Sequence, residues 1–209
     1  MTPRPQKRVV AVSQRVDRVP DRNETRDALD QALVQWLAAA GCMAVPVPNT
    51  LSDDGGEFEL AGWLDAIRPS MIVLSGGNDI GAFPQRDATE TCLLDWAARG
   101  RKPVLGICRG MQMMGIYDGG MLVPVTGHVR VYHDLGDGGS PPGWPCRINS
   151  YHDFALAEAP PSYSVLARAA DGTIEAMRHV DLPWEGWMWH PERDPVRRQD
   201  IERFQNLLK

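Results

Sequence analysis

The chain has 209 residues, enough for one domain with a substantial core, and its 43% hydrophobic and 23% charged residues are typical of a soluble globular protein. A net charge of -5 argues against a nucleic-acid-binding protein, which usually carries a basic face. The apolar runs are short and broken by Gly or Pro, which excludes a membrane-spanning helix, and the first residues lack the apolar core of a signal peptide. We therefore expect a cytoplasmic protein with neither a nucleic-acid nor a membrane partner.

Strands and helices alternate through the first half of the chain. Apolar runs predict strands at 8–14, 42–48, 71–74 and 103–107, and helical spacing predicts helices at 28–40, 58–67, 89–99 and 109–117. The polar stretch 15–24 reads as a loop, from which Asp21 or Asn23 would cap the first helix. This alternation, with strands that are apolar throughout, predicts an α/β fold with a mostly parallel, doubly wound sheet and helices on both faces.

The second half of the chain is more strand-rich. We predict a strand at 121–125, an extended surface loop at 126–146 that is rich in Gly and Pro, and extra C-terminal β-strands at 163–168, 173–179 and 184–189. Trp187 and Trp189 should share one strand face, and Met188 should share the other with His190. A final helix should be capped by Asp194. We find no linker, so residues 1–209 are interpreted as a single domain.

The four cysteines are scattered and form no C-x-x-C pair, which suits a reducing compartment better than a disulfide framework. Metal-ligand spacing is absent and the five histidines do not cluster. We therefore predict no metal site and no cofactor.

The stretch "GICRG" places Cys108 between two glycines, at the end of a predicted strand and the start of a predicted helix. A helix N-terminus favours the thiolate, and glycines permit a sharp turn of the kind that presents a nucleophile. Taken alone, the motif also fits a small buried cysteine.

Two other stretches offer the partners that a cysteine nucleophile needs. "WHPE" ends a hydrophobic strand with His190, a candidate base, and sets Glu192 two positions later, where its carboxylate can orient the imidazole. "SGGND" follows a buried strand, so the amides of Gly77 and Arg109 are candidate oxyanion donors. Each stretch alone also fits an ordinary strand end or turn.

Together and in this order, "SGGND", "GICRGMQ" and "HPE" resemble the class I glutamine amidotransferase-like superfamily. The resemblance covers nearly the whole chain and implies a flavodoxin-like fold and a catalytic triad of Cys108, His190 and Glu192. It also implies that Gln112 contacts the glutamate portion of the substrate. "INSYHD" resembles the segment that holds the substrate's α-amino and α-carboxylate groups, which adds four residues as substrate contacts: Asn149, Ser150, Tyr151 and His152.

"NSYH" and "DGTIEA" resemble the stand-alone γ-glutamyl hydrolase (peptidase C26) branch of the superfamily. "SQRVDRVPDRNETRDALDQ" and "GHVRVYHD" are further similar to γ-glutamyl-CDP-amidate hydrolases of bacterial capsule phosphoramidate synthesis. This resemblance implies a hydrolase that cleaves a γ-glutamyl amide through a cysteine thioester and releases glutamate. Loop residues could bind a phosphate-bearing leaving group through charged contacts: Arg15, Arg22, Arg26, Arg130, His128 and His133.

Three alternatives stay open at this point. The chain could be a glutaminase subunit that supplies ammonia to a separate synthetase, a peptidase that shares the nucleophile, or a non-enzymatic relative that only binds. A homodimer is also left open, and a synthetase partner is expected only for the glutaminase alternative.

Overall fold

The computed structural model describes residues 8–52, 59–136 and 144–209. Within these ranges the chain forms thirteen strands and five α-helices. The strands are, in chain order, β1 (Arg8–Ser13), β2 (Arg15–Val19), β3 (Glu24–Ala28), β4 (Cys42–Val47), β5 (Met71–Leu74), β6 (Val104–Ile107), β7 (Leu122–Pro124), β8 (Val129–Asp134), β9 (Arg147–Tyr151), β10 (Phe154–Leu156), β11 (Tyr163–Arg168), β12 (Ile174–His179) and β13 (Trp184–Trp187). The helices are α1 (Gln31–Ala39), α2 (Leu60–Ile67), α3 (Pro84–Arg99), α4 (Arg109–Tyr117) and α5 (Arg198–Leu207).

Seven strands form the central sheet, in the order β11-β12-β13-β6-β5-β1-β4. The five strands from β13 to β4 run parallel to one another, whereas β12 pairs antiparallel with both β13 and the edge strand β11. Every residue of β5 and β6 is buried, as expected for strands that helices cover on both faces. The predicted α/β fold with a mostly parallel sheet and extra C-terminal strands is confirmed.

Two hydrophobic clusters lie on opposite faces of this sheet. Side chains of α1 and α5 fill one cluster, and side chains of α2, α3 and α4 fill the other. Trp187 and Trp189 belong to the first cluster and Met188 to the second, which confirms the predicted alternation of strand faces. The carboxyl ends of β5 and β6 therefore emerge at one edge between two packed layers, where ligands of such sheets bind.

The prediction of a polar loop at 15–24 is wrong. These residues fold with those that follow into the antiparallel hairpin β2–β3, whose tip carries Asn23 at φ 50°. The hairpin is largely exposed, so it shows no hydrophobic pattern that would have revealed it. The first helix consequently begins later than predicted, and its cap is Asp30, which accepts a hydrogen bond from the Ala32 amide at 2.9 Å, instead of Asp21 or Asn23.

Other parts of the chain also differ from the sequence prediction. Part of the predicted loop 126–146 forms β8, which pairs antiparallel with β9. Residues 137–143 of that loop lie outside the described residues. The predicted start of the second helix, at residue 58, also lies outside them. Helix α3 begins at Pro84, five residues before the predicted start. Asp194 does not cap α5, because its carboxylate accepts hydrogen bonds from Tyr132 and Arg197, each at 2.8 Å.

Among the described helices, none combines the length and the apolar character that crossing a membrane requires.

Candidate active site

Cys108 sits at the corner between β6 and α4 in a backbone conformation that non-glycine residues rarely adopt, with φ 51° and ψ -107°. Its amide donates to the Trp187 carbonyl of the neighbouring strand at 2.7 Å, which fixes the corner against the sheet. Such strain costs on the order of 1–3 kcal/mol and concentrates at functional sites. The corner places the thiol at the N-terminus of α4, where the helix dipole favours a thiolate.

The two glycines beside Cys108 are there because neighbouring groups come too close for a side chain. A Cβ on Gly106 would lie 2.5 Å from the Met114 sulfur, and a Cβ on Gly110 would lie 2.2 Å from the Leu74 carbonyl oxygen. Real Cβ atoms essentially never make contacts under 3.0 Å. The predicted reason for the G-x-C-x-G pattern, close approach of backbone around the corner, is confirmed.

The His190 ring lies within hydrogen-bonding reach of Cys108 and contacts Glu192, so the structure brings the three predicted residues together. The imidazole Nδ1 is 2.6 Å from Glu192 Oε1, and both side chains are buried. Burial by itself would lower the pKa of His190, but hydrogen bonds with Cys108 and Glu192, together with their negative charges, outweigh it and raise that pKa to about 9. The ring is therefore protonated at neutral pH and can stabilise a thiolate on Cys108.

The backbone of His190 is held on both sides by one side chain. Asn149 accepts a hydrogen bond from the His190 amide at 2.9 Å and donates one to the His190 carbonyl at 2.8 Å. On the ring side, the Tyr151 ring makes an edge contact at 5.7 Å between centroids. Gly76 packs directly against the imidazole ring, because a Cβ at this position would lie 2.4 Å from His190 Cε1.

The loop that follows β5 is organised by a buried arginine that sequence reasoning missed. Arg86 donates to the carbonyls of Ser75, Gly76 and Gly77 at 2.7, 3.1 and 2.8 Å. In a trans peptide the N–H points opposite to the carbonyl, so the Gly77 amide points away from Arg86. Gly77, at φ 89°, lines the same pocket as Cys108, which leaves its amide a candidate oxyanion donor.

Arg86 belongs to a buried ionic network beneath the site. It pairs with Glu90 one turn along α3, and Arg109 pairs with both Glu90 and Asp87. The side chain of Arg109 is thus directed into the protein, which leaves its backbone amide as the group of interest for substrate. The spacing of Arg86 and Glu90 on one helix face could have indicated the pair, but the predicted start of α3 excluded the first of them.

A pocket of about 190 Å³ opens beside the sulfur of Cys108. Ten residues line it: Gly77, Asn78, Asp79, Cys108, Arg109, Gln112, Tyr151, His152, Asp153 and Phe154. Its volume is below the range of about 300–1,000 Å³ that drug-sized ligands occupy, so it fits only a small part of a substrate. A larger cavity of about 550 Å³ lies near α5 and is lined by none of the predicted site residues.

The predicted glutamate contacts divide into two groups. Gln112, Tyr151 and His152 line the pocket, and Gln112 donates to the Phe154 carbonyl at 2.8 Å, which orients its amide oxygen. The side chains of Asn149 and Ser150 do not line it, because Asn149 binds the His190 backbone and Ser150 donates to the His128 carbonyl at 2.7 Å. We found no sequence signal for Asp153, another pocket-lining residue, beyond its position next to "NSYH".

Of the predicted leaving-group residues, the structure brings one to the site. Arg15 packs over Gly77 and lines a small cleft together with His190, Glu192 and Arg193, the last of which the sequence did not single out. The others lie elsewhere: Arg22 and Arg26 on the exposed β2–β3 hairpin, Arg130 exposed on β8, and His128 and His133 in a separate group.

The expectation that the histidines do not cluster is wrong. The ring centroid of His128 lies 4.3 Å from that of His133 and 4.7 Å from that of His152. Pairing of β8 with β9 brings these rings together across a sequence gap that hides their proximity.

The chain is similar to known proteins over most of its length. Residues 24–208 match the family model of glutamine amidotransferase class-I. The γ-glutamyl-CDP-amidate hydrolase of Campylobacter jejuni subsp. jejuni serotype O:2 is 31% identical over 129 residues, which are 59% of this chain and 62% of that protein. The glutamine-hydrolysing GMP synthase subunit of Methanothrix thermoacetophila is 33% identical over 146 residues, 68% of this chain and 80% of that protein. The chain spans less than two thirds of the length of several curated relatives, the Campylobacter protein among them.

The fold is also that of solved relatives. A glutamine amidotransferase from Thermotoga maritima superposes with a TM-score of 0.59 at 17% identity, covering 97% of this chain and 84% of that one.

Proposed function

The chain belongs to the class-I glutamine amidotransferase family, and from that premise we propose that it hydrolyses γ-glutamyl amides through a thioester on Cys108. The observation that carries the proposal is the contact between Cys108, on its strained corner, and a buried imidazole that is itself bound to Glu192. A nucleophile, a base and a group that orients the base are the three parts that covalent acyl transfer requires.

In the first half of the reaction, the Cys108 thiolate attacks the γ-carbonyl carbon of the substrate. The oxygen gains negative charge, which the amides of Gly77 and Arg109 stabilise by donating hydrogen bonds. The C–N bond then breaks, and the protonated His190 gives its proton to the leaving nitrogen. Glutamate remains bound to the enzyme as a thioester.

In the second half, His190 is neutral and acts as the base. It takes a proton from a water molecule that attacks the thioester carbonyl, the C–S bond breaks, and the Cys108 thiolate is restored beside a protonated imidazole. The net reaction adds one water to the amide and yields glutamate and an amine or amidate. Glu192 holds the ring in the orientation that both proton transfers need.

The small pocket suits the glutamyl group. Gln112, Tyr151 and His152 supply polar side chains, and Asp79 and Asp153 offer carboxylates for the α-ammonium group of glutamate. Since the pocket is too small for a second large group, we place the leaving group outside it, at the protein surface beside His190, where the side chains of Arg15 and Arg193 are 50% and 32% exposed.

For the leaving group, we propose an anionic one, with γ-glutamyl-CDP-amidate as the first substrate to test. Arg15 and Arg193 both line the cleft beside His190, and arginine is well suited to bind phosphate through paired hydrogen bonds. The similarity to the Campylobacter hydrolase supports the same choice.

The test is a product assay over three substrates: γ-glutamyl-CDP-amidate, γ-glutamyl-γ-aminobutyrate and glutamine. We expect glutamate release without any partner protein, and the highest kcat/KM for the phosphate-bearing substrate. Arg15→Gln should lower kcat/KM for that substrate and leave glutamine unaffected, whereas Arg22→Gln, at the exposed hairpin tip, should change neither. Equal kcat/KM values for all three substrates would contradict an anionic leaving group.

A second candidate function is that of a glutaminase subunit that supplies ammonia to a separate synthetase. The observation that favours it is the similarity to the Methanothrix GMP synthase subunit, of which the match covers 80%. This candidate predicts weak glutaminase activity in the isolated chain and a strong increase when the synthetase is added. High activity of the isolated chain on a γ-glutamyl amide would exclude it.

A further inference from the structure

Three histidines and a glutamate meet behind one wall of the substrate pocket. This His/Glu cluster consists of His128, just before β8, His133 within β8, His152, just after β9, and Glu175 in β12. Donor atoms of His128, His133 and Glu175 all lie within 4.8 Å of one another. Segments that are far apart in the sequence thus deliver imidazole and carboxylate groups to one point.

Most groups of the cluster are buried, and several of their polar atoms have no hydrogen-bond partner among the described residues. His128, His152 and Glu175 are at most 3% exposed. His128 Nδ1, His133 Nε2, His152 Nε2 and both carboxylate oxygens of Glu175 have no hydrogen-bond partner among the described residues. Burying a carboxylate without a donor or a cation is strongly unfavourable, so these atoms point to a missing positive group.

Two outer hydrogen bonds define which atoms the rings present to the cluster. His128 Nε2 lies 2.8 Å from an Asp171 carboxylate oxygen, and His152 Nδ1 lies 3.0 Å from the Phe154 carbonyl. These oxygens only accept, so the two nitrogens carry the protons. In the neutral form of each ring, the opposite nitrogen presents a lone pair. Each of these two nitrogens lies 3.6 Å from Glu175 Oε1, too far for a hydrogen bond.

These separations suit a metal ion between the atoms. Zinc binds nitrogen and oxygen ligands at about 2.0–2.2 Å, and in a tetrahedral site this sets neighbouring ligand atoms roughly 3.3–3.6 Å apart. The hydrogen bond from His128 to Asp171 is an outer contact of the kind that orients a metal-binding imidazole. Imidazole-rich donors favour zinc or a similar transition metal over calcium or magnesium, which prefer oxygen.

We propose that the His/Glu cluster binds one zinc ion or a similar divalent transition metal. His128 Nδ1, His133 Nε2 and a Glu175 carboxylate oxygen are its protein ligands, and a water molecule completes the coordination. None of these three residues lines the substrate pocket, so the ion has a structural role. The ion joins β8 to β12. The His152 ring, whose centroid lies 4.7 Å from that of His128, lines the substrate pocket, so the ion supports the pocket wall that His152 forms.

The test is metal binding by the full-length chain after treatment with a chelator. The Cys108→Ala variant serves as the parent protein, because it removes the active-site thiolate as a competing ligand. Zinc affinity is measured by competition with a chromophoric chelator, and cobalt is added separately because its visible spectrum reports coordination geometry. We expect one ion per chain, a tetrahedral cobalt spectrum without thiolate bands, and a rise in melting temperature on adding zinc.

Variants then locate the ion. His133→Gln, which alters a partly exposed ring, and Glu175→Gln should each weaken zinc binding by at least about 100-fold, and Asp171→Asn by about 10- to 100-fold. His179→Gln, which removes an imidazole outside the cluster, should bind zinc as tightly as the parent.

The proposal is overturned if the parent binds no stoichiometric zinc, or if His133→Gln binds zinc as tightly as the parent. Zinc binding by His133→Gln is decisive even if Glu175→Gln does not fold, because His133 lies on a hairpin at the surface, where a substitution should not prevent folding.

Discussion

Replacing Gly76 by alanine should disable the site without unfolding the protein. The new Cβ would lie 2.4 Å from His190 Cε1, at least about 1 Å closer than ordinary van der Waals contact, which begins at 3.4 Å. The ring must therefore move, because Gly76 is fixed by the hydrogen bond from Arg86 to its carbonyl. A displacement of about 1 Å at a reacting group costs on the order of 100-fold in rate.

The expected result of Gly76→Ala is thus a fall in kcat/KM of about 100-fold for γ-glutamyl amide hydrolysis. A second readout does not depend on the substrate: alkylation of Cys108 by iodoacetamide, followed by peptide mass spectrometry, should slow because the displaced imidazole stabilises the thiolate less. The peptide-level measurement is needed because Cys92 and Cys146 are exposed and will react as well.

The matched control is Gly62→Ala in α2, where a Cβ meets nothing within 4 Å. This variant should keep full activity and gain up to about 1 kcal/mol of stability, since alanine is the better helix former. If Gly76→Ala keeps its kcat/KM and thiol reactivity within threefold of the unmodified protein, close packing against Gly76 does not position the His190 imidazole.

Three further predictions concern the groups around the triad. Because the pKa of His190 is raised to about 9, the ring loses its proton only as the pH passes that value, and kcat/KM should fall above about pH 9. Glu192→Gln should move this fall to lower pH. If the fall stays at the same pH in that variant, the role assigned to the carboxylate is refuted. Glu90→Gln removes a negative charge that two buried guanidinium groups share, so it should lower the free energy of unfolding, measured by urea denaturation, by about 3–5 kcal/mol. The control Glu202→Gln, at an exposed ion pair, should lower it by less than about 1 kcal/mol. Asn149→Ala should lower kcat far more than it changes KM, since its side chain holds the His190 backbone, and a change confined to KM would instead indicate substrate contact.

The sequence predicts the parts of this molecule whose pattern is set by burial. The strands β5 and β6 are apolar throughout because both of their faces are covered, and the faces of Trp187 and Met188 follow from the two-residue period of a strand. The corner at Cys108 can be predicted for a similar reason, since the close approach of backbone there allows only glycine on either side of the cysteine.

Other parts depend on contacts between distant segments, which no local pattern records. The β2–β3 hairpin is polar and exposed, so its strands carry no hydrophobic signal. The network of Arg86, Glu90 and Arg109 exists only because α3 packs against the start of α4. The role of Asn149 likewise depends on β9 lying beside the segment that carries His190.

The measurement that tests the central claim most directly is rapid acid quenching of the protein during turnover of a γ-glutamyl amide, followed by peptide mass spectrometry. The account predicts one glutamyl group attached to the peptide that contains Cys108, and no turnover by Cys108→Ala. A glutamyl group on another residue, or sustained hydrolysis by Cys108→Ala, would contradict it.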